Sequence, residues 1–264
     1  MKQPVEFTNT EASDIIELRG IKQIYNDGPP IIKDFNLLIE DKPGQGQFVV
    51  ILGPSGCGKS TILKYVAGLQ KPTEGHVLIE GRERKDDDRV GMVFQQYSSF
   101  PWKSVLENVA LGLEFKGVPK KERLDIAMDM VRKVGLEGHE HKFAKRGELS
   151  GGQLQRVAIA RSLAYDPKIL LMDEPFGALD VETRLQMQDL LAQIWTEIQP
   201  TIVFVTHDIP EAVYLGDDIY VMGRNPGNIR KKFSSPLPLK RDKSMKRLPQ
   251  FTHLVDEIED YMGG

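Results

Sequence analysis

The chain has 264 residues, enough for one large α/β domain or one domain with a subdomain. Its net charge of -3 gives no strong field that would draw it to nucleic acid. Cys57 is the only cysteine, which excludes an intrachain disulfide. Residues 1–6 hold no apolar core for a signal peptide, and no run of about 18 apolar residues is present to span a bilayer. The expectation is a reduced, soluble, cytosolic protein that reaches a membrane only through a partner.

In chain order, residues 15–18 and 35–39 read as strands separated by the turn-rich segment Asn26-Asp27-Gly28-Pro29-Pro30. Residues 41–47 form a further loop. Residues 48–52 are continuously apolar, the pattern of a buried parallel strand. A glycine-rich loop follows, then a helix to about Ala67. Residues 77–79 and 90–94 read as strands around a charged hairpin.

From 104 to 163 the texture becomes helical. Leu106, Val109, Ala110 and Leu113 recur at helical spacing, as do Leu124, Met128, Val131 and Val134. Strands return at 169–172 and 202–206, with an amphipathic helix from Glu182 to about Ile198 between them. Such alternation indicates a parallel sheet covered by helices. Beyond Met222 the chain reads as loop-rich and basic, a solvated tail in preference to one that touches anionic lipid.

Gly53, Pro54, Ser55, Gly56, Cys57, Gly58, Lys59, Ser60 and Thr61 fit the phosphate-loop pattern between a strand and a helix. The glycines let backbone N–H groups turn toward phosphate oxygens, and the helix N-terminus adds partial positive charge. Lys59 is expected at the β- and γ-phosphates and Ser60 on Mg²⁺, with Cys57 filling space. Asp173 and Glu174 end an apolar strand. Asp173 suits Mg²⁺, directly or through water, and Glu174 suits orienting or deprotonating an attacking water.

His207 closes the strand at 202–206, on the edge where parallel sheets bind ligands, so it is a candidate γ-phosphate contact. Gln95 follows the strand at 90–94, and its amide suits either the metal or the attacking water. Asp180 suits the N-cap of the helix after Gly177-Ala178-Leu179. Tyr25 either stacks on an adenine or packs before its turn.

Together with Leu149-Ser150-Gly151-Gly152-Gln153, these residues resemble an ABC transporter ATP-binding subunit over about residues 15–222. The resemblance implies an α/β fold: a P-loop NTPase core with a mostly parallel sheet, an N-terminal antiparallel β portion and an inserted helical subdomain. It divides the chain into 1–103, a β portion with the first part of the core; 104–163, a helical signature subdomain; 164–222, the rest of the core; and 223–264, a tail. It places the Walker A loop at 53–61, the Q-loop at Gln95, Walker B at 170–173, the catalytic glutamate at Glu174, the D-loop at 177–180 and the switch histidine at His207. Gly177 departs from the serine frequent in that D-loop.

The resemblance implies that Ser150, Gly151 and Gly152, with Gln153 opening the helix behind them, bind the γ-phosphate of ATP held by a second subunit, so that two protomers sandwich two nucleotides. The implied cofactors are ATP and Mg²⁺. The implied partners are a second ATP-binding subunit, transmembrane permease subunits and a solute-binding protein, with no nucleic acid, at the cytoplasmic face of the inner membrane. Residues 95–102 and 222–227 resemble the nitrate/sulfonate/taurine importer group, which implies import of a small anionic solute. There the stretch containing Phe100, Pro101 and Trp102 either lines a groove for the membrane subunit or packs among the helices. A soluble ABC ATPase of translation or DNA repair is the alternative. Such proteins usually carry two motif sets or a long coiled coil, whereas this chain has one set and no sustained heptads. A module that binds ATP without hydrolysing it is opposed by the presence of both Glu174 and His207.

Overall fold

The computed structural model describes residues 15–263 apart from 27, 43, 89 and 97. The readings of residues 1–6, Asp27, Pro43 and Tyr97 lie outside the described residues. The strands are β1 (Ile16–Gln23), β2 (Ile32–Ile39), β3 (Phe48–Leu52), β4 (Glu74–Ile79), β5 (Arg82–Glu83), β6 (Val90–Val93), β7 (Ile169–Asp173), β8 (Thr201–Thr206), β9 (Asp218–Gly223) and β10 (Asn228–Ser234). The helices are α1 (Lys59–Ala67), α2 (Val105–Phe115), α3 (Lys120–Lys133), α4 (Gly151–Ala164), α5 (Val181–Ile198), α6 (Ile209–Leu215) and α7 (Pro249–Gly263).

Two sheets form. One is antiparallel, in the order β2-β1-β4-β5. The other runs β10-β9-β3-β8-β7-β6 and is parallel except for β10, which pairs antiparallel with β9. Side-chain alternation splits the buried strands of the larger sheet between two cores. Val49, Ile51, Leu171, Val203 and Val205 face α1 and the antiparallel sheet. Phe48, Val50, Leu52, Leu170, Met172, Ile202 and Phe204 face the remaining helices. A strand buried on both faces must be apolar throughout, which is why 48–52 and 169–172 are.

β1 runs five residues past the expected 15–18. Register shifts interrupt its pairing after Leu18, where Gly20 takes a φ of +56°. Bulges of this kind break the period-two pattern that marks a strand in sequence. The expectation of a loop-rich, solvated tail is corrected. β10 extends the main sheet, and α7 buries Phe251, Leu254 and Ile258 against the larger core. Arg241, one of the basic residues beyond Met222, is 5% exposed.

Candidate functional site

The sheet order assembles the site. β3, β8 and β7 are parallel neighbours, with Leu52 opposite Thr206 and Asp173 opposite Val205. Their C-terminal ends therefore deliver Gly53, His207 and Glu174 to one edge. β6 lies next to β7, with Val93 opposite Met172, and its end brings Gln95 to the same edge.

The phosphate loop turns through Gly56 and Gly58 at φ +80° and +106°. A Cβ on Gly58 would also lie 2.9 Å from Ile32 Cγ1, so this position is closed to larger residues on two grounds. Lys59 is 4% exposed, and its Nζ donates to the carbonyls of Gly53 at 2.8 Å and Pro54 at 3.1 Å. Cys57 is buried, and burial pushes its thiol pKa up against the opposing charge of Lys59. A thiol in that condition is a poor nucleophile.

Ser60 Oγ donates to Asp173 Oδ1 at 2.8 Å. Burial pushes the Asp173 carboxyl up, opposed by the Ser60 hydrogen bond and reinforced by Glu174. A cation beside it would relieve that penalty. Among the described residues no three His, Cys, Asp or Glu side chains come together as a metal-ligating group. The donor set at hand is one hydroxyl and one carboxylate, hard oxygens that suit Mg²⁺ completed by phosphate oxygens and water.

Glu174 is held from two sides. Lys59 Nζ is 3.4 Å from its Oε1, and His207 Nδ1 is 3.0 Å from its Oε2. Its backbone takes a φ of +42°, rare for a residue with a Cβ, and is fixed by donation from its N–H to Val205 O at 3.0 Å. A Cβ built on Gly177 would lie 3.7 Å from Gln95 Nε2, so the amide sits against the turn that follows Glu174. The structure thus brings together Lys59, Ser60, Gln95, Asp173, Glu174 and His207.

The other sequence-predicted residues stand apart. Ser150 caps α4 with a capping box: its Oγ accepts from Gln153 N, and Gln153 Oε1 accepts from Ser150 N. Gln153 Nε2 also donates to His139 Nε2 at 3.0 Å, a support the sequence did not signal. A Cβ on Gly152 would approach Thr183 Cγ2 to 2.6 Å, so this glycine lets α4 lie against α5. Among the described residues, no hydrogen bond or ion pair joins 150–153 to the phosphate loop. Asp180 caps α5 by accepting from Thr183 N at 3.0 Å, and such donors hold its carboxyl below the usual range. Tyr25 is 42% exposed, and its hydroxyl accepts from Gln70 Nε2 at 2.6 Å. Trp102 is 68% exposed and lies edge-on to Phe100, so it does not pack among the helices.

Arg184 was not foreseen. It donates to Leu179 O at 3.2 Å, and its other terminal nitrogen is 3.5 Å from Asp208 Oδ2, tying the turn after Glu174 to the turn after His207. Glu211 was also missed. Asp208-x-x-Glu211 carries an N-cap pattern, but sequence alone does not say that the glutamate is buried.

The parallel sheet with a glycine loop, a helix and two strand-end acids defines a P-loop nucleotide-binding core. A model of the ABC transporter family matches residues 39–177. The chain is 44% identical to a nitrate import ATP-binding protein of Synechocystis sp., over 88% of each chain. It is 43% identical to a taurine import ATP-binding protein of Escherichia coli O157:H7, over 90% of this chain and 94% of that one. It also superimposes on the dimeric post-hydrolysis state of an ATP-binding cassette bound to ADP and Pi. That match has a TM-score of 0.70 and 37% identity, covering 83% of this chain and 98% of the other. The chain belongs to the ABC transporter family, as an ATP-binding subunit whose ATPase activity is coupled to transport. Among the described residues no helix is long and apolar enough to cross a membrane.

Proposed function

We propose that two ATP-binding subunits close around two ATP and drive a separate permease that imports a small anionic solute such as nitrate, a sulfonate or taurine. The observation that carries the hydrolytic part is the placement of Glu174 between Lys59 and His207, beside the Ser60–Asp173 pair, and the likeness to nitrate and taurine import ATP-binding proteins supports import of such a solute. The phosphate loop 53–61 cradles the phosphates with its backbone N–H groups, and Lys59 moves its charge onto them. Tyr25 stacks on the adenine. Ser60 and Asp173, with Gln95, are the residues to hold Mg²⁺, which when bound neutralises phosphate charge.

Glu174 orients the attacking water and takes its proton, while His207 keeps the carboxylate aimed and reaches the γ-phosphate. The cap of α4 faces outward in one subunit: Ser150 is exposed, and the helix N-terminus behind it is an anion cradle without a phosphate loop of its own. A second subunit supplies that loop, and the D-loop with Asp180 lies at the same seam. Nucleotide that binds only the closed pair stabilises it by mass action. The helical part, 104–163, carries this cradle. Exposed Trp102 and its neighbours Phe100 and Pro101 face the permease at the cytoplasmic side of the inner membrane, where a solute-binding protein feeds it from outside. No nucleic acid is involved.

Native-membrane purification of the chain, then reconstitution of the complex into vesicles, tests this. ATP-driven accumulation of labelled nitrate, sulfonate or taurine that is lost in Glu174→Gln supports it. ATP turnover with no membrane subunit accompanying the chain would favour the soluble alternative.

A further inference from the structure

The segment after β10 does more than cover the core. Its 3₁₀ turn Lys243–Arg247 carries Lys246, whose Nζ donates to Gln188 Oε1 on α5 at 2.7 Å. Gln188 Nε2 donates in turn to Glu211 Oε1 at 3.0 Å. The other oxygen of Glu211 accepts from Thr206 Oγ1 at 2.6 Å, and Thr206 Oγ1 accepts from Asp208 N at 3.0 Å. Thr206 and Asp208 are the two neighbours of His207. Gln188, Glu211 and Thr206 are buried.

A second anchor holds the segment in place. Arg241 donates to the carbonyls of Tyr214 and Gly216, which end α6, and to Asp217 Oδ1 at 2.9 Å. Lys246 Nζ also lies 4.0 Å from the centre of the Tyr214 ring. The C-terminal segment therefore holds the C-terminal end of α6 directly and reaches Glu211, near its N-terminal end, through Gln188 of α5.

We propose that Lys246 and Gln188 are positioning residues for His207, and that the C-terminal segment thereby sets the turnover rate of the site. In a buried chain of hydrogen bonds each partner fixes the orientation of the next. The Gln188 amide can face either way. With Lys246 on its oxygen, its nitrogen must point at Glu211, and both oxygens of Glu211 are then engaged. Without Lys246 the amide is free to turn, Glu211 loses a donor, and the Thr206 hydroxyl that holds the Asp208 N–H loses its fixed acceptor. The peptide on either side of His207 relaxes, and the imidazole no longer stands in one place against Glu174. The inference rests on the reading of His207 as a residue of the hydrolytic site.

The full-length chain tests it with Lys246→Met, Lys246→Arg and Gln188→Leu. Lys246→Met and Gln188→Leu should each lower kcat about tenfold while the KM for ATP stays within about twofold. The ring resonances of His207, one of five histidines, should shift in NMR spectra of both variants. Lys246→Arg, which keeps a donor, should restore kcat and the resonances. Should Lys246→Met not fold, Gln188→Leu reads the same link without touching the tail. Unchanged kcat or unmoved His207 resonances in a folded variant would overturn the coupling. His207→Ala separates the two readings. If it abolishes turnover while Lys246→Met does not, only the coupling falls. If it leaves kcat intact, the reading of His207 itself falls.

Discussion

Glu174 and His207 form a pair across the ends of two adjacent strands, with Oε2 and Nδ1 3.0 Å apart. Neither residue is held by its own loop alone. The register that sets Asp173 opposite Val205 brings the two together, and Lys59 closes on the other carboxylate oxygen. The pair explains why the glutamate keeps an unfavourable backbone conformation at φ +42°.

Replacing Glu174 by Gln keeps the shape and removes the basic oxygen. Turnover should fall by about 10²-fold or more, as expected for loss of a general base. ATP should still bind, and light scattering should find a dimer at saturating ATP. A variant that stays monomeric there would count against closure around nucleotide.

Lys59→Ala removes a buried ammonium that spans two loop carbonyls and faces Glu174. Titration calorimetry should show ATP affinity weakened by about 1.5–3 kcal/mol, the range for a hydrogen bond to a charged group. Phosphate release should vanish. Wild-type rates would remove Lys59 from the site.

Arg241→Met tests how firmly the C-terminal segment is docked. The substitution leaves the partly buried Asp217 without its cation and strips donors from the carbonyls of Tyr214 and Gly216. Urea unfolding should show a loss of about 3 kcal/mol, in keeping with broken buried pairs. A loss within about 0.5 kcal/mol, typical of surface sites, would mean that the segment is not packed as described.

Burial pushes the Glu211 carboxyl above its ordinary range, opposed by donation from Thr206 and Gln188 and aided by Asp208. The folded chain therefore keeps this proton to higher pH than the unfolded chain. The stability linked to it is complete below the unfolded glutamate pKa of about 4.3 and is lost as pH rises through the folded value. Glu211→Gln cannot titrate, so its stability relative to wild type should improve as pH rises from that point to the folded value and level off above it. A difference that does not change with pH would show that Glu211 titrates alike in both states.

The candidate site is legible in the sequence wherever its chemistry calls for neighbouring residues. Residues 53–61 and the acids after 169–172 were legible because a phosphate cradle and a strand-end carboxylate need contiguous patterns. β3 was legible to the residue because a strand buried on both faces is apolar throughout. The C-terminal elements were not. β10 is an edge strand whose lysines lie over aromatic rings and pair with Glu257 and Asp218, and α7 has three buried anchors among acidic residues. The path from Lys246 to His207 joins residues 58 positions apart at its first step, and no local pattern announces it.

The central claim is that Ser150 of one subunit serves the phosphate loop of another. Mixing Lys59→Ala chains with Ser150→Arg chains tests it most directly. Each variant alone should be inactive. A mixed dimer holds one site with an intact loop and an intact signature, so phosphate release should return on mixing. Inactivity of the mixture, with heterodimers demonstrated, or full activity of Ser150→Arg alone would contradict it.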